Sequence, residues 1–228
     1  MNGGRVMELT DQAPTPEQNK RAISKARSRQ ALIDATLDII AEAGISGASV
    51  SRIVGKSGLS RGMIHLHFES KEKLLVEAAR FMADDYYRNL FRFIDAAPAT
   101  PAQRLIAMIE ADLDEGSLNE KTIAIWFAFR GAARAHNAFA RYSDTRDRRL
   151  RDLFTTAFAE LMGKPADTPE VVDAAIGTIA LMEGMWADYF LHSDAFDRNA
   201  AKRVVLRFIA GVLPESAGFR QNLARSVR

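Results

Sequence analysis

Cysteine is absent from all 228 residues, which excludes disulfides, thiolate metal sites and a thiol nucleophile. Histidine is scarce, with four copies at positions 65, 67, 136 and 192. His65 and His67 stand two apart, so on a helix they point in different directions and cannot chelate a metal as an i, i+4 pair does. Serines and aspartates are plentiful, yet neither a G-x-S-x-G elbow nor a glycine-rich phosphate loop accompanies them. The expectation is a protein that is not an enzyme, with no catalytic residue, no cofactor and no metal. No apolar run approaches the roughly 20 residues a membrane-spanning helix needs. Arg5 near the start has no apolar stretch behind it, unlike a signal peptide. A reducing, cytoplasmic setting without membrane contact is therefore expected. Strand-like alternation and internal repeats are also missing.

What is present is ordinary globular composition, 47% apolar and 26% charged. The formal net charge of +2 hides a division. Residues 20–73 hold ten Lys/Arg against five Asp/Glu, a surplus of +5, and the remainder holds 21 basic against 24 acidic residues, or −3. A basic segment on a mildly acidic body suggests one end that binds a polyanion and another with a different task. Helical periodicity and capping signals predict an all-α chain of about nine helices. The expected organisation is a mobile tail over 1–19, a three-helix unit over 20–73 and a helical body over 74–214. A second tail covers 215–228.

Residues 49–74 organise the chain. Val50, Ile53 and Val54 form a short apolar helical face, and Ser49 is placed to accept from the first free N–H groups. Gly58 can supply the positive φ of a chain reversal, Leu59 fills the gap, and Ser60 is read as the cap of the next helix, Arg61 to about His67. Ser70-Lys71-Glu72 starts another helix with a cap and a first-turn acid. Helix, glycine turn, short helix is the helix-turn-helix plan, whose second helix enters the major groove of double-stranded DNA. Lys20, Arg21, Lys25, Arg27 and Arg29 crowd the preceding helix entrance with no acid among them. A solvated helix face would account for them equally, but beside a helix-turn-helix they are better placed to reach phosphates. The DNA-contact candidates are Arg27, Ser49, Ser60, Arg61, Gly62, Met63, His65, His67 and Lys71.

The run Gly58-Leu59-Ser60-x-Gly62-x-Ile64-x-x-His67-Phe68-x-x-Lys71-Glu72-x-Leu74 resembles the DNA-binding signature of the tetracycline-repressor (TetR) family. The resemblance implies a ligand-responsive transcriptional repressor with a C-terminal effector-binding and dimerisation domain. One departure stands out: the family often has tyrosine just before the matched histidine, where this chain has His65 and Leu66.

Within the body, the last two helices are rich in small and apolar residues, including Ala180 and Gly184 on one and Val204 and Phe208 on the other. Taken singly such residues are usually intrachain core. As a pair of helices they fit a homodimer, because symmetric readers place two copies about one DNA turn, roughly 34 Å, or a multiple apart on a palindromic operator. In the family this chain resembles, that helix pair forms the dimer interface. Aromatics gather at Trp126, Phe127 and Phe129, at Tyr142 in a connection, and at Trp186, Tyr189 and Phe190. Carboxylates stand close in sequence at 110, 112, 114 and 115, and at Glu183 and Asp188. Ring faces with nearby carboxylates suit an organic cation, although aromatics at helical spacing are more often core. Ile125-Trp126-Phe127-Ala128-Phe129 and Ala180 to Trp186 resemble the C-terminal domain of choline-responsive BetI-type repressors. The effector-site candidates are Trp126, Phe129, Tyr142, Glu183, Trp186 and Tyr189. A neutral apolar effector, or a helical module that binds no DNA, remains the alternative, and the sequence leaves open which carboxylate serves.

Overall fold

A computed structural model describes residues 16–133, 137–215 and Phe219, with Phe139 the one side chain described between 134 and 146. Nine α-helices fill the described residues, and no strand occurs among them. The first, α1 (Pro16–Gly47), begins inside the segment expected to be a tail, because 16–19 continue the same helix. Gly44, at φ 67°, is the point where its regular backbone is interrupted.

Helices α2 (Val50–Ser57), α3 (Arg61–Phe68) and α4 (Lys71–Ala96) follow. Ser49 Oγ accepts from the Arg52 N–H at 3.3 Å, and Gly58 closes α2 in the left-handed region at φ 68°. Ser60 has the extended backbone of a cap but makes no side-chain cap bond, contrary to expectation. Ser70 Oγ caps α4 by accepting from the Lys73 N–H at 3.2 Å.

The body comprises α5 (Pro101–Leu113), α6 (Glu120–Ala133), α7 (Asn137–Met162), α8 (Pro169–His192) and α9 (Arg198–Val212). The run Ser117-Leu118-Asn119-Glu120 has the form of a capping box with serine as the cap of α6. Instead Asn119 Oδ1 accepts from the Thr122 N–H at 2.9 Å, while Ser117 is buried and accepts from Asn89 Nδ2 at 2.7 Å. Tyr142 belongs to α7 rather than to a connection. Arg198 fastens the start of α9 by donating to the carbonyls of Leu113 at 2.7 Å and Leu118 at 2.6 Å.

Two apolar clusters result. One joins α1–α3 and the first turns of α4, and it also takes in Ile125, Phe129 and Phe139. The other fills the body and includes Phe219, 2% exposed, from the segment expected to be a tail. The seam between the two units therefore runs through α4 and α6, not at residue 73 alone.

Candidate nucleic-acid interface and ligand site

On α3 the residues separate by side. Ile64 and Phe68, one turn apart, are each 4% exposed and lock the helix onto the N-terminal core. Arg61, Gly62, His65 and Leu66 occupy the exposed side. Met63 and His67 are half-buried, and Met63 packs against the core.

The positive charge of this segment is partly offset by neighbouring carboxylates. Arg29 pairs with Glu77, Lys56 with Glu42, and Lys73 with Glu69. Arg21 reaches Glu17 at 2.7 Å, Arg52 reaches Glu42 at 3.6 Å, and half-buried Lys71 lies 3.9 Å from Glu72. Lys20, Lys25, Arg27 and Arg61 have no carboxylate partner among the described residues, and all four are exposed. These are the cations left to meet phosphates.

His67 has both ring nitrogens buried and without a hydrogen-bond partner among the described residues. Burial, aided by the Lys25 and Arg29 charges, holds its pKa below the ordinary 6.5. The folded chain therefore binds this proton less readily than the unfolded chain does. Its stabilising contribution is complete above about pH 6.5 and is lost as pH falls through the unfolded and then the folded pKa. The lowered carboxylates at Asp38, Glu69, Glu72 and Glu170 act in the same direction, but only below their ordinary 3.8 and 4.5. Urea melts should show stability declining from pH 7 to 5, and His67→Phe should flatten that decline. An unchanged slope in the variant would sink the assignment.

In the body, a cleft is lined by Asp112, Trp126, Arg130, Leu150, Ile179, Met182, Glu183 and Trp186. Asp112 is 2% exposed, and it takes the Tyr86 hydroxyl on Oδ1 at 2.8 Å and the Trp186 Nε1–H on Oδ2 at 2.9 Å. The Trp186 ring meets Tyr86 and Trp126 edge-on, with centroids at 6.1 and 6.0 Å. Of the acids at 110–115, only Asp112 sits among ring faces; Glu110 pairs with Lys202, and Asp114 turns to the Gly116 N–H at 2.9 Å. Glu183 is already engaged by Arg130 at 2.6 Å, and the Arg130 guanidinium lies 5.3 Å from the Trp126 ring centroid. Asp188 faces His192 at 3.0 Å.

The remaining candidates are elsewhere. Phe129 packs edge-on against Phe139 in the N-terminal cluster, at 5.3 Å, on the stripe of α6 that it shares with Ile125. Tyr189 packs against Phe196 at 5.3 Å beneath Arg198. The Tyr142 side chain and His136 lie outside the described residues. The space left in the cleft is about 20 Å³, room for a water molecule.

On the outer side of α8 and α9, Ile176, Ala180 and Gly184 follow one another at four-residue steps, all exposed, with Leu191 beyond and Val204 and Val212 on α9. Phe208 is half-buried and lies over Gly177, where an added Cβ would come within 2.5 Å of its ring. Its packing is therefore largely within the chain. Among the described residues no helix is long and apolar enough to cross a membrane.

Comparison with known proteins agrees with this architecture. Residues 32–78 match the tetR family of bacterial regulatory proteins, and residues 101–214 match the C-terminal domain of BetI-type transcriptional repressors. An HTH-type transcriptional regulator BetI from Burkholderia thailandensis is 30% identical, over 85% of this chain and 95% of the relative. The crystal structure of a putative transcriptional regulator from Pseudomonas aeruginosa superposes with a TM-score of 0.74 at 27% identity, covering 95% of this chain and 99% of its own. A regulator from Saccharomonospora viridis, solved with choline, shares the fold at TM-score 0.70 and 18% identity, over 81% of this chain and 96% of its own. The relatives are regulators, not enzymes, and regulators of this kind bind operator DNA and small-molecule effectors, usually as dimers. The chain belongs to the TetR family of transcriptional regulators and carries the BetI-type C-terminal domain.

Proposed function

We propose that the chain acts in the cytoplasm as a homodimeric repressor of an inverted-repeat operator and releases it when an organic cation binds beside Asp112. Residues 20–73, whose core is completed by the first turns of α4 and by Ile125 and Phe129 of α6, read DNA, and residues 74–214 bind the effector and pair through α8 and α9. The exposed side of α3 faces the major groove, with Arg27 and Arg61 toward phosphates or base edges. Choline or betaine aldehyde is the effector type, held by the Trp126 and Trp186 rings and balanced by Asp112.

One observation carries this reading: α6 borders both ends of the signal. Trp126 and Arg130, one turn apart, line the cleft, whereas Ile125 and Phe129, the residues just before each, are buried in the N-terminal cluster. A cation of choline size exceeds the present space, so it selects a conformer in which Arg130 leaves the Trp126 face. Moving α6 shifts α1 and with it the spacing of the two recognition helices.

Trp126 and Trp186 are the only two tryptophans, so ligand entry is read by intrinsic fluorescence. Choline and betaine aldehyde should quench it and release operator DNA, while a neutral alcohol of equal size should do neither. Quenching and release by the neutral compound alone would overturn the cation site.

A further inference from the structure

The exposed side of α3 carries one large apolar side chain. Leu66 is 64% exposed, next to His65 and one turn after Gly62. Among the described residues, nearly all comparably exposed hydrophobics, including Ile176, Leu191, Val204 and Val212, stand on α8 and α9; apart from Leu66 only Ile23 on α1 differs. Leu66 therefore does not belong to the apolar face of the body. It does not belong to the N-terminal core either, which Ile64 and Phe68 enter from the other side of the helix.

Gly62 explains what surrounds it. A Cβ added there would meet nothing nearer than Ser60 Oγ at 3.8 Å, so packing within the chain does not require glycine. Its effect lies outside: the missing side chain leaves a recess on the exposed helix face, floored by backbone and bordered by Leu66 at i+4. A leucine cannot hold a phosphate, because it offers no donor and no charge. In the major groove the apolar feature of a base edge is the C5-methyl group of thymine, which apolar side chains contact.

We propose that Leu66, beside the recess left by Gly62, reads a thymine methyl group in each half-site and so determines sequence specificity. The proposal rests on the reading of α3 as the major-groove helix. Arg61 and the free cations of α1 then supply sequence-independent attraction, while Leu66 supplies discrimination without a hydrogen bond.

The test uses the full chain and the tightest duplex selected from a random pool. Each thymidine is replaced in turn by deoxyuridine, which removes only the methyl group, and binding is followed by fluorescence anisotropy at fixed salt. At one symmetry-related pair of positions the wild type should lose about fourfold per methyl, and roughly fifteenfold when both half-sites are changed. Leu66→Ala should bind the thymine duplex as weakly as the wild type binds the uracil duplex, and should show no further loss on uracil. Because Leu66 is exposed, its melting curve should match the wild type. Wild-type binding indifferent to every uracil, or a Leu66→Ala variant that keeps the full uracil penalty, overturns the proposal while leaving the DNA-reading role intact. Failure to bind any duplex overturns both.

Discussion

Gly184→Arg should turn the dimer into a monomer and weaken operator binding by about 10²–10⁴-fold, the range gained when two linked modules engage together. Gly184 is exposed on α8, and a Cβ placed there meets no atom within 4 Å. The substitution therefore leaves the protomer's own packing untouched. Arginine even gains up to about 1 kcal/mol of helix propensity over glycine. Ile176 and Ala180 precede Gly184 at four-residue steps, and Val204, 45% exposed, stands on α9. A bulky cation in the middle of that apolar strip is incompatible with a close helix–helix approach by a second copy. Sedimentation should show a monomer at micromolar concentration, while the melting curve of the variant stays near that of the wild type. A variant that remains dimeric would move the interface elsewhere. A wild type that is itself monomeric would remove the symmetric half-site reading altogether.

The parts of this architecture that were legible in the sequence are those decided within a few residues. Gly58 can only close α2 through a left-handed turn, and Ser49 and Ser70 cap the helices that follow them because a serine oxygen reaches the N–H three residues on. The same reasoning misplaced two caps. Ser60 has the right backbone but no cap bond, and Asn119 caps α6 in place of Ser117. Asn119 accepts from the Thr122 N–H, while the Ser117 hydroxyl is taken by the tertiary partner Asn89. Helix rotation was the harder quantity. Each residue turns the side chain by about 100°, so Ile125 and Trp126, adjacent in sequence, enter different cores. Asp112 could not be separated from its neighbours at 110, 114 and 115 for the same reason. One signal was available: α5 buries nearly its whole length, Asp112 included, and its sequence Ile106-Ala107-Met108-Ile109 is apolar on every side. A carboxylate in such a helix must find donors inside the fold.

Those donors define the other large effect expected of this protein. Trp186→Ala should cost about 3–5 kcal/mol for the lost ring and the cavity behind it, a large part of the 5–15 kcal/mol that typically holds a domain together. Trp186 is 5% exposed, with Tyr86 and Trp126 against its edges, so the deletion opens a cavity in the core. The variant also strips the Nε1–H donor from Asp112, which the Tyr86 hydroxyl alone of the two aromatic donors would still serve. Trp186→Ala should therefore lose operator binding through unfolding, and it cannot report on the effector by itself. Trp186→Phe separates the contributions. It keeps a ring in the core but deletes the donor, and should cost about 1–3 kcal/mol, the penalty for depriving a buried acceptor. It also leaves Trp126 as the only tryptophan, so fluorescence quenching in this variant reports on the ring face beneath Arg130 alone. Urea melts of the three proteins give the comparison. If Trp186→Ala costs less than about 1 kcal/mol, far below the usual range for a buried tryptophan, then the ring does not hold the core of the ligand domain and the cage around Asp112 is lost as an explanation. If Trp186→Phe is as damaging as Trp186→Ala, the hydrogen bond to Asp112 outweighs the packing, and the carboxylate is the keystone of the site.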